Sequence, residues 1–185
     1  MWTTERQTLI FSVYIPIINY SQTLEEISLQ PMLGEIEACI QHATETTDKP
    51  TTIIMTGDFN RHHPMWSKNR IYHVAIEQAE ELVSFFHKQR LQSCLPRGTP
   101  TYWSMSHPGS NSTIDLTVTD APGNLVKCHL YHDHYGSDHQ AVYSEWSLNP
   151  SRNAERKPRR AYDRADWERI GESETQITQS PPIQT

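Results

Sequence analysis

The chain has 185 residues, 36% apolar, 21% charged and 9% aromatic, with a formal net charge of −6; at about one domain per 150 residues this is one domain with a tail. No apolar run approaches the roughly 18 to 20 residues of a membrane span, and Met1 to Arg6 lacks the cationic stretch and apolar core of a secretory signal. Transmembrane, collagenous and wholly disordered classes are excluded, and the expectation is an intracellular protein with no membrane partner.

Leu9, Phe11, Val13 and Ile15 alternate with Ile10, Ser12 and Tyr14, a two-residue period that predicts a strand with both faces largely buried, ended by Pro16. From Pro31 to about Thr46, Met32, Leu33, Ile36, Ile40 and Ala43 recur at helical spacing, with Pro31 suited to a first turn. Thr51 to Met55 is a β-branched run that opens into Thr56-Gly57-Asp58, as buried strands open into polar loops. Val74 to Gln89 follows as an amphipathic helix with Ala75, Ala79, Leu82, Val83 and Phe86 on its apolar stripe. Ser112 to Thr119 alternates again, and Gln140 to Trp146 reads as a last strand. Strand, helix, strand, helix, then strands makes the class mixed α/β.

Residues 1–148 read as the domain and residues 149–185 as a linker-like tail, polar and carrying Pro181-Pro182, with a short helix expected over Tyr162 to Ile170. Charge divides along the same line. Residues 1–149 hold 9 Lys or Arg against 16 Asp or Glu, a net of −7, and residues 150–185 hold 7 against 6, a net of +1. An acidic body does not track nucleic-acid backbone by counterion release over a long stretch, so any such binding is local or helped by a cation. Cys39, Cys94 and Cys128 are far apart in sequence and odd in number, neither a disulfide framework nor a Cys-x-x-Cys site.

Three polar constellations stand at strand ends. Thr56-Gly57-Asp58-Phe59-Asn60 reads equally as a turn or as a ligand site in the crevice beyond a buried strand. In Ser112-Thr113-Ile114-Asp115-Leu116 an Asp interrupts an apolar strand, where it faces solvent, a cation or a histidine N–H. Gly136-Ser137-Asp138-His139 supplies a histidine able to exchange protons near neutral pH, and a carboxylate on its second ring nitrogen would fix its tautomer. Together they suggest phosphoester cleavage, with carboxylates for a divalent cation and water, an amide for a phosphate oxygen, and a His-Asp pair for proton transfer. His132-Asp133-His134 to His139 has a superficial likeness to the zinc motif of metallo-β-lactamase-like hydrolases, but its spacing is wrong and no histidine follows His139.

Val13-Tyr14-Ile15-Pro16, Gly57-Asp58-Phe59-Asn60, Ser112-Thr113-Ile114-Asp115-Leu116 and Ser137-Asp138-His139, in this order, resemble the endonuclease/exonuclease/phosphatase superfamily over about Thr8 to Leu148. Arg61-His62-His63-Pro64-Met65-Trp66 and Pro100-Thr101-Tyr102-Trp103 narrow the resemblance to the endonucleases of LINE-type, non-LTR retrotransposons. The resemblance implies a four-layer α/β sandwich of the DNase I-like type. It implies a DNA-nicking phosphodiesterase dependent on Mg²⁺, with Mn²⁺ as a substitute, acting in the nucleus. The catalytic residues would be Asp58, Asn60, Asp115, His139 and Tyr14, with Asp138 and His139 on the metal side. His139 would transfer a proton, Asp115 orient it, Asp58 and Asn60 hold the water or a phosphate oxygen, and Tyr14 contact the scissile phosphate. Arg159-Arg160-Ala161-Tyr162 to Trp167 resembles the connector to a reverse transcriptase, a partner in the parent element.

Members of this superfamily also carry an Asn and a metal-binding Glu upstream of the Tyr14 strand. Neither fits within Met1 to Gln7, and Glu25 and Glu26 follow the strand. The expectation is therefore a domain without its first strands. The alternative function is a non-catalytic relic, or a nucleic-acid- or protein-binding module derived from such an endonuclease.

Overall fold

In the computed structural model, residues 6–147 are described apart from 19–20, 23, 69–70 and 108. The tail, with the short helix expected over Tyr162 to Ile170 and the connector-like segment, lies outside the described residues. Contacts divide the chain into Met1–Pro150 and Ser151–Thr185, and every described residue belongs to the first unit. Along it run β1 (Gln7–Tyr14), α1 (Leu24–Ile27), α2 (Gln30–Glu45), β2 (Thr51–Asp58), α3 (His73–Glu77), α4 (Glu80–Lys88), β3 (Gln92–Ser93), β4 (Tyr102–Trp103), β5 (Asn111–Ser112), β6 (Asp115–Thr119), β7 (Leu125–Leu130) and β8 (Val142–Trp146).

β1 and β2 are parallel, so the chain between them must cross over, and α2 supplies the crossover. Pro31 sits in its first turn, and Leu33, Ile36 and Ile40 form its buried stripe. The main sheet has the order β1-β2-β6-β3, with β6 antiparallel to both neighbours. One of its faces presents Val13, Ile53, Met55, Leu116 and Val118 to α2 and to Leu82, Phe85 and Phe86 of α4, in one apolar cluster that also takes in Phe59 and Trp66. Each of these buried side chains contributes about 1.5–3 kcal/mol relative to exposure.

The opposite face carries Ile54, Thr56, Thr117 and Thr119, and the antiparallel β7–β8 pair lies against it. The Asn124 amide donates to Thr52 Oγ1 at 3.5 Å, and the Asn124 carbonyl accepts from the Ser147 N–H at 2.8 Å. Thr119 Oγ1 donates to the Ile53 carbonyl at 2.7 Å, which satisfies a hydroxyl with no solvent exposure.

Three sequence expectations change. β1 is not buried on both faces: Val13 and Ile15 are buried, but Ile10 is 55% and Tyr14 67% exposed. β1 is the sheet's edge, and the hairpin covers β2 and β6 instead, where Ile54, Thr117 and Thr119 are buried. The helix expected over Val74 to Gln89 is two helices, broken at Gln78–Ala79, because α4 turns its stripe into the core while α3 buries nothing. The alternation over Ser112 to Thr119 is also interrupted. The chain leaves β5 at Ser112 and enters the main sheet only at Asp115.

The sheet closes on one small residue. Gly57 faces Val13 in the β1–β2 register at φ +144°, and a Cβ there would stand 1.9 Å from the Val13 carbonyl oxygen. Gly57→Ala is expected to destabilise the domain by about 3 kcal/mol or more, read as a drop in the urea midpoint. An unchanged midpoint would mean that β1 does not pair with β2 in this register.

Candidate active site

The register places Tyr14 beside Asp58 and Asp58 beside Asp115, so three residues from three strands stand on one rung at one end of the sheet. Phe59 then turns into the core, fully buried and edge-on to Phe86 with ring centroids 5.9 Å apart. With Phe59 anchored below, Asp58 and Asn60 are held above. Asn60 takes φ +44°, a conformation that Asn tolerates better than most residues. Its side-chain amide donates to Asp58 Oδ2 at 2.7 Å and to the Ile15 carbonyl at 3.0 Å, and its N–H donates to Asp58 Oδ1 at 3.1 Å. One asparagine thereby fixes both carboxylate oxygens and ties the β2 end to the β1 end.

Arg61 extends this clamp. It is 3% exposed, and Nη1 donates to the carbonyls of Pro16 and Asn60. Burial lowers the pKa of its guanidinium, with the charge of Glu81 opposing the shift. Trp66, 2% exposed, donates its indole N–H to the Arg61 carbonyl at 3.0 Å and packs on Phe86. The Arg61-to-Trp66 segment thus anchors the loop leaving Asn60.

Asp115 meets His139. His139 Nδ1 lies 3.0 and 3.2 Å from the two Asp115 carboxylate oxygens. A carboxylate only accepts, so Nδ1 carries the proton and Nε2 is left as the free ring nitrogen. Thr101, with no solvent exposure, sets this pair in place: its Oγ1 accepts from the N–H groups of Ile114 and Asp115 at 3.1 and 3.0 Å. Its carbonyl accepts from the Gln140 N–H at 2.7 Å. Next to it, Tyr102 bridges to His139, and the two rings meet edge-on at 5.0 Å. The Trp103 N–H donates to the Asp138 carbonyl. Pro100-Thr101-Tyr102-Trp103 is therefore a brace for the Asp138-His139 backbone. The sequence pattern alone gives Thr101 no role; a threonine ahead of two aromatics is its only signal.

Single ligand atoms of Asp58, Asp115 and His139 lie within 4.8 Å of one another, close enough to hold one metal ion between them. Asp138 is not in that group, although its peptide adjoins it. Burial raises the Asp58 pKa above the ordinary carboxylate range, and Asp115 raises it further, against the Asn60 bonds and the charge of His139. A divalent cation would relieve these two neighbouring carboxylates, and the donor set suits a hard ion that completes its shell with water and phosphate. A cleft of about 410 Å³ runs past Thr56, Asp115, His134 and His139. A second, of about 450 Å³, is lined by His62, Tyr72, Tyr102, Ser110 and Ser112. Burial first, and Arg61 second, lowers the pKa of His62 in that cleft.

Residues 8–143 match the family model described as endonuclease-reverse transcriptase. The chain belongs to that family. Among solved structures it is similar to the endonuclease domain of TRAS1, a telomere-specific non-LTR retrotransposon, with a TM-score of 0.51 at 17% identity. The match covers 65% of this chain and 52% of the TRAS1 chain, so this chain spans about half the length of that solved domain. The likeness shows the fold, mixed α/β of the DNase I-like type. No curated protein matches the chain.

In this endonuclease-family site, ionising Asp58 costs folding energy, because its folded pKa is raised; that cost is absent while the group is protonated and appears as pH rises. Asp58→Asn is expected to raise Tm at neutral pH without divalent cation, with the advantage fading as pH falls toward about 4; a lower Tm at neutral pH would contradict this. Thr101→Val, which strips two buried N–H groups of their acceptor, is expected to cost about 2 kcal/mol or more while Thr101→Ser stays near wild type. Equal urea midpoints for the two variants would remove Thr101 from the brace.

Proposed function

We propose that the chain is a DNA-nicking phosphodiesterase, the endonuclease portion of a non-LTR retrotransposon protein whose parent element also carries a reverse transcriptase. Most support comes from the convergence of Asp58, Asp115 and His139 in a chain of the endonuclease-reverse transcriptase family. Such a substrate implies a nuclear location.

In this reading Tyr14, exposed at the end of β1, contacts the scissile phosphate. Asp58, fixed by Asn60, aligns the attacking water and accepts its proton, and a raised pKa brings a carboxylate closer to that task. Asn60 has its amide hydrogens committed, so its carbonyl oxygen is the group left for the water. Asp115 holds His139 through Nδ1, and Nε2, when it has taken a proton from solvent, gives that proton to the departing oxygen. A bound Mg²⁺ or Mn²⁺ would neutralise the phosphate and acidify water. Its retention would fall to the carboxylates of Asp58 and Asp115, with Asp138 and His139 on the same side. The second cleft, lined by hydroxyls and aromatic rings, suits flanking nucleotides.

A second reading, a binding module without catalysis, is favoured by the donor set itself: two carboxylates, one already bonded to the only imidazole of the group. The two readings separate on nicking of supercoiled plasmid by the purified chain, with EDTA and His139→Ala controls. Catalysis predicts Mg²⁺-dependent nicks ending in 3′-hydroxyl groups and a loss on the order of 10²-fold or more in His139→Ala. Equal background from both proteins would overturn the catalytic reading.

A further inference from the structure

Between β7 and β8 the chain forms a loop, residues 131–141, that carries His139. The Tyr131 N–H donates to the Ala141 carbonyl at 2.7 Å, and the Gln140 side-chain amide donates to the Tyr131 carbonyl, so the loop is closed at its neck. Inside it, the Tyr135 N–H donates to Asp133 Oδ1 at 2.8 Å, the Gly136 N–H to His134 Nδ1 at 3.2 Å and the Ser137 N–H to the His134 carbonyl at 2.8 Å. Tyr135 takes φ +51° and Gly136 φ +78°. That region is ordinary for glycine but uncommon for a residue with a bulky side chain, so the turn around Tyr135 holds it there. The outcome is a ring 77% exposed to solvent. Tyr131 backs it: the two rings are 17° from parallel with centroids 6.3 Å apart, and His132 packs on Tyr131 in turn at 4.3 Å. Tyr135 also lines the cleft of about 410 Å³ that contains Asp115 and His139.

Resting on the phosphodiesterase reading, we propose that Tyr135 is a stacking platform for one unpaired base of a DNA strand whose phosphate reaches His139. The site then takes single-stranded or locally opened DNA in preference to continuous duplex. Within a duplex both faces of a base are covered by its neighbours, and only a base turned out of the stack has a face to lay on a ring. Because Tyr135 and His139 line one cleft, a base on the ring and a phosphate at His139 belong to the same stretch of strand.

Charge favours this mode of contact. Grooves that bind single strands combine cations along the backbone with rings under the bases. Among the described residues no Lys or Arg lines this cleft, while Asp115 and Asp133 do. Lys127, on the same hairpin, is paired with Glu145 at 3.6 Å. Attraction for the backbone is therefore weak here, and a stacked base is the contact that needs no positive charge from the protein. Every base has a π-face, so the ring selects unpaired strand without selecting sequence. A ring already fixed by its loop and by Tyr131 also loses little freedom when the base arrives.

The test reads binding of the full chain, by fluorescence anisotropy with Ca²⁺ in place of Mg²⁺, to one labelled DNA sequence as single strand, as duplex and as duplex with a short unpaired bubble. Single strand and bubble are expected to bind about tenfold more tightly than duplex. Tyr135→Gly removes the ring at a position where glycine is at ease, so Tm is expected not to fall. In that variant, binding to single strand and bubble is expected to weaken about tenfold and binding to duplex to stay unchanged. Tyr135→Phe keeps the ring and should keep the preference. Equal affinity of wild type for duplex and bubble, or a Tyr135→Gly chain that binds unpaired DNA as tightly as wild type, would overturn the proposal. Mg²⁺-dependent nicking that persists beside such a result leaves the phosphodiesterase reading in place, whereas a Tyr135-dependent preference in a chain that makes no nicks upholds the platform and removes that reading. A chain that binds none of the three DNAs overturns both.

Discussion

The close approach of β1 to β2 at Gly57 governs what this domain can do. The Val13 carbonyl occupies the space where any other residue would carry its Cβ. That contact keeps the two parallel strands in register to their last residues, and only in that register do Tyr14 and Asp58 share a rung. β6, antiparallel on the other side, then brings Asp115 to the same rung as the first residue of its strand. A slip of one residue would send these side chains to the opposite face, into the apolar cluster. The hydrophobic pattern that packs α2 and α4 on one face therefore also fixes which face receives the carboxylates.

Placing two carboxylates side by side works against stability, and the fold meets that cost locally. Asp58 is bonded twice by Asn60, and Asp115 is bonded to His139. Each partner is itself held: Asn60 by the Ile15 carbonyl, the Asn60 backbone by Arg61, and His139 by the β4 strand. Thr101 joins the two halves, because one buried hydroxyl and one carbonyl hold both the start of β6 and the residue after His139. A site assembled from three distant stretches of chain depends on such a brace more than on the groups that do chemistry.

The sequence made the site more legible than the fold around it. Gly57-Asp58-Phe59-Asn60 is legible in sequence only as a turn or a ligand site beyond a buried strand, whereas the close approach at Gly57 and the anchoring of Phe59 emerge from the structure. Asp115 was visible as an acid interrupting an apolar alternation. The two-residue strands β3, β4 and β5 were not legible, since a period of two needs four or more residues to show itself. Thr101 escaped because buried and exposed threonines look alike in sequence. The exposure of Ile10 and Tyr14 was missed for a different reason: alternation tells which residues share a face, and what covers that face is decided by strand order.

Charge ties these observations together. Residues 1–149 carry a net −7, and the cations of the described domain are largely spoken for: Lys88 pairs with Glu37, Lys127 with Glu145, and Arg61 is buried. A polyanion brought to such a surface meets repulsion nearly everywhere, and Asp58 and Asp115 intensify it at the one place where three strand ends converge. Binding there cannot rest on a basic patch, so it must be local and conditional. The same carboxylates that repel a phosphate would attract a divalent cation, which reverses the sign of the field over a few ångströms. If the site is cation-dependent as proposed, an acidic domain would gain discrimination from this arrangement: backbone phosphates elsewhere along a nucleic acid would find no foothold, and only a phosphate seated at the Asp58–Asp115 rung would be held.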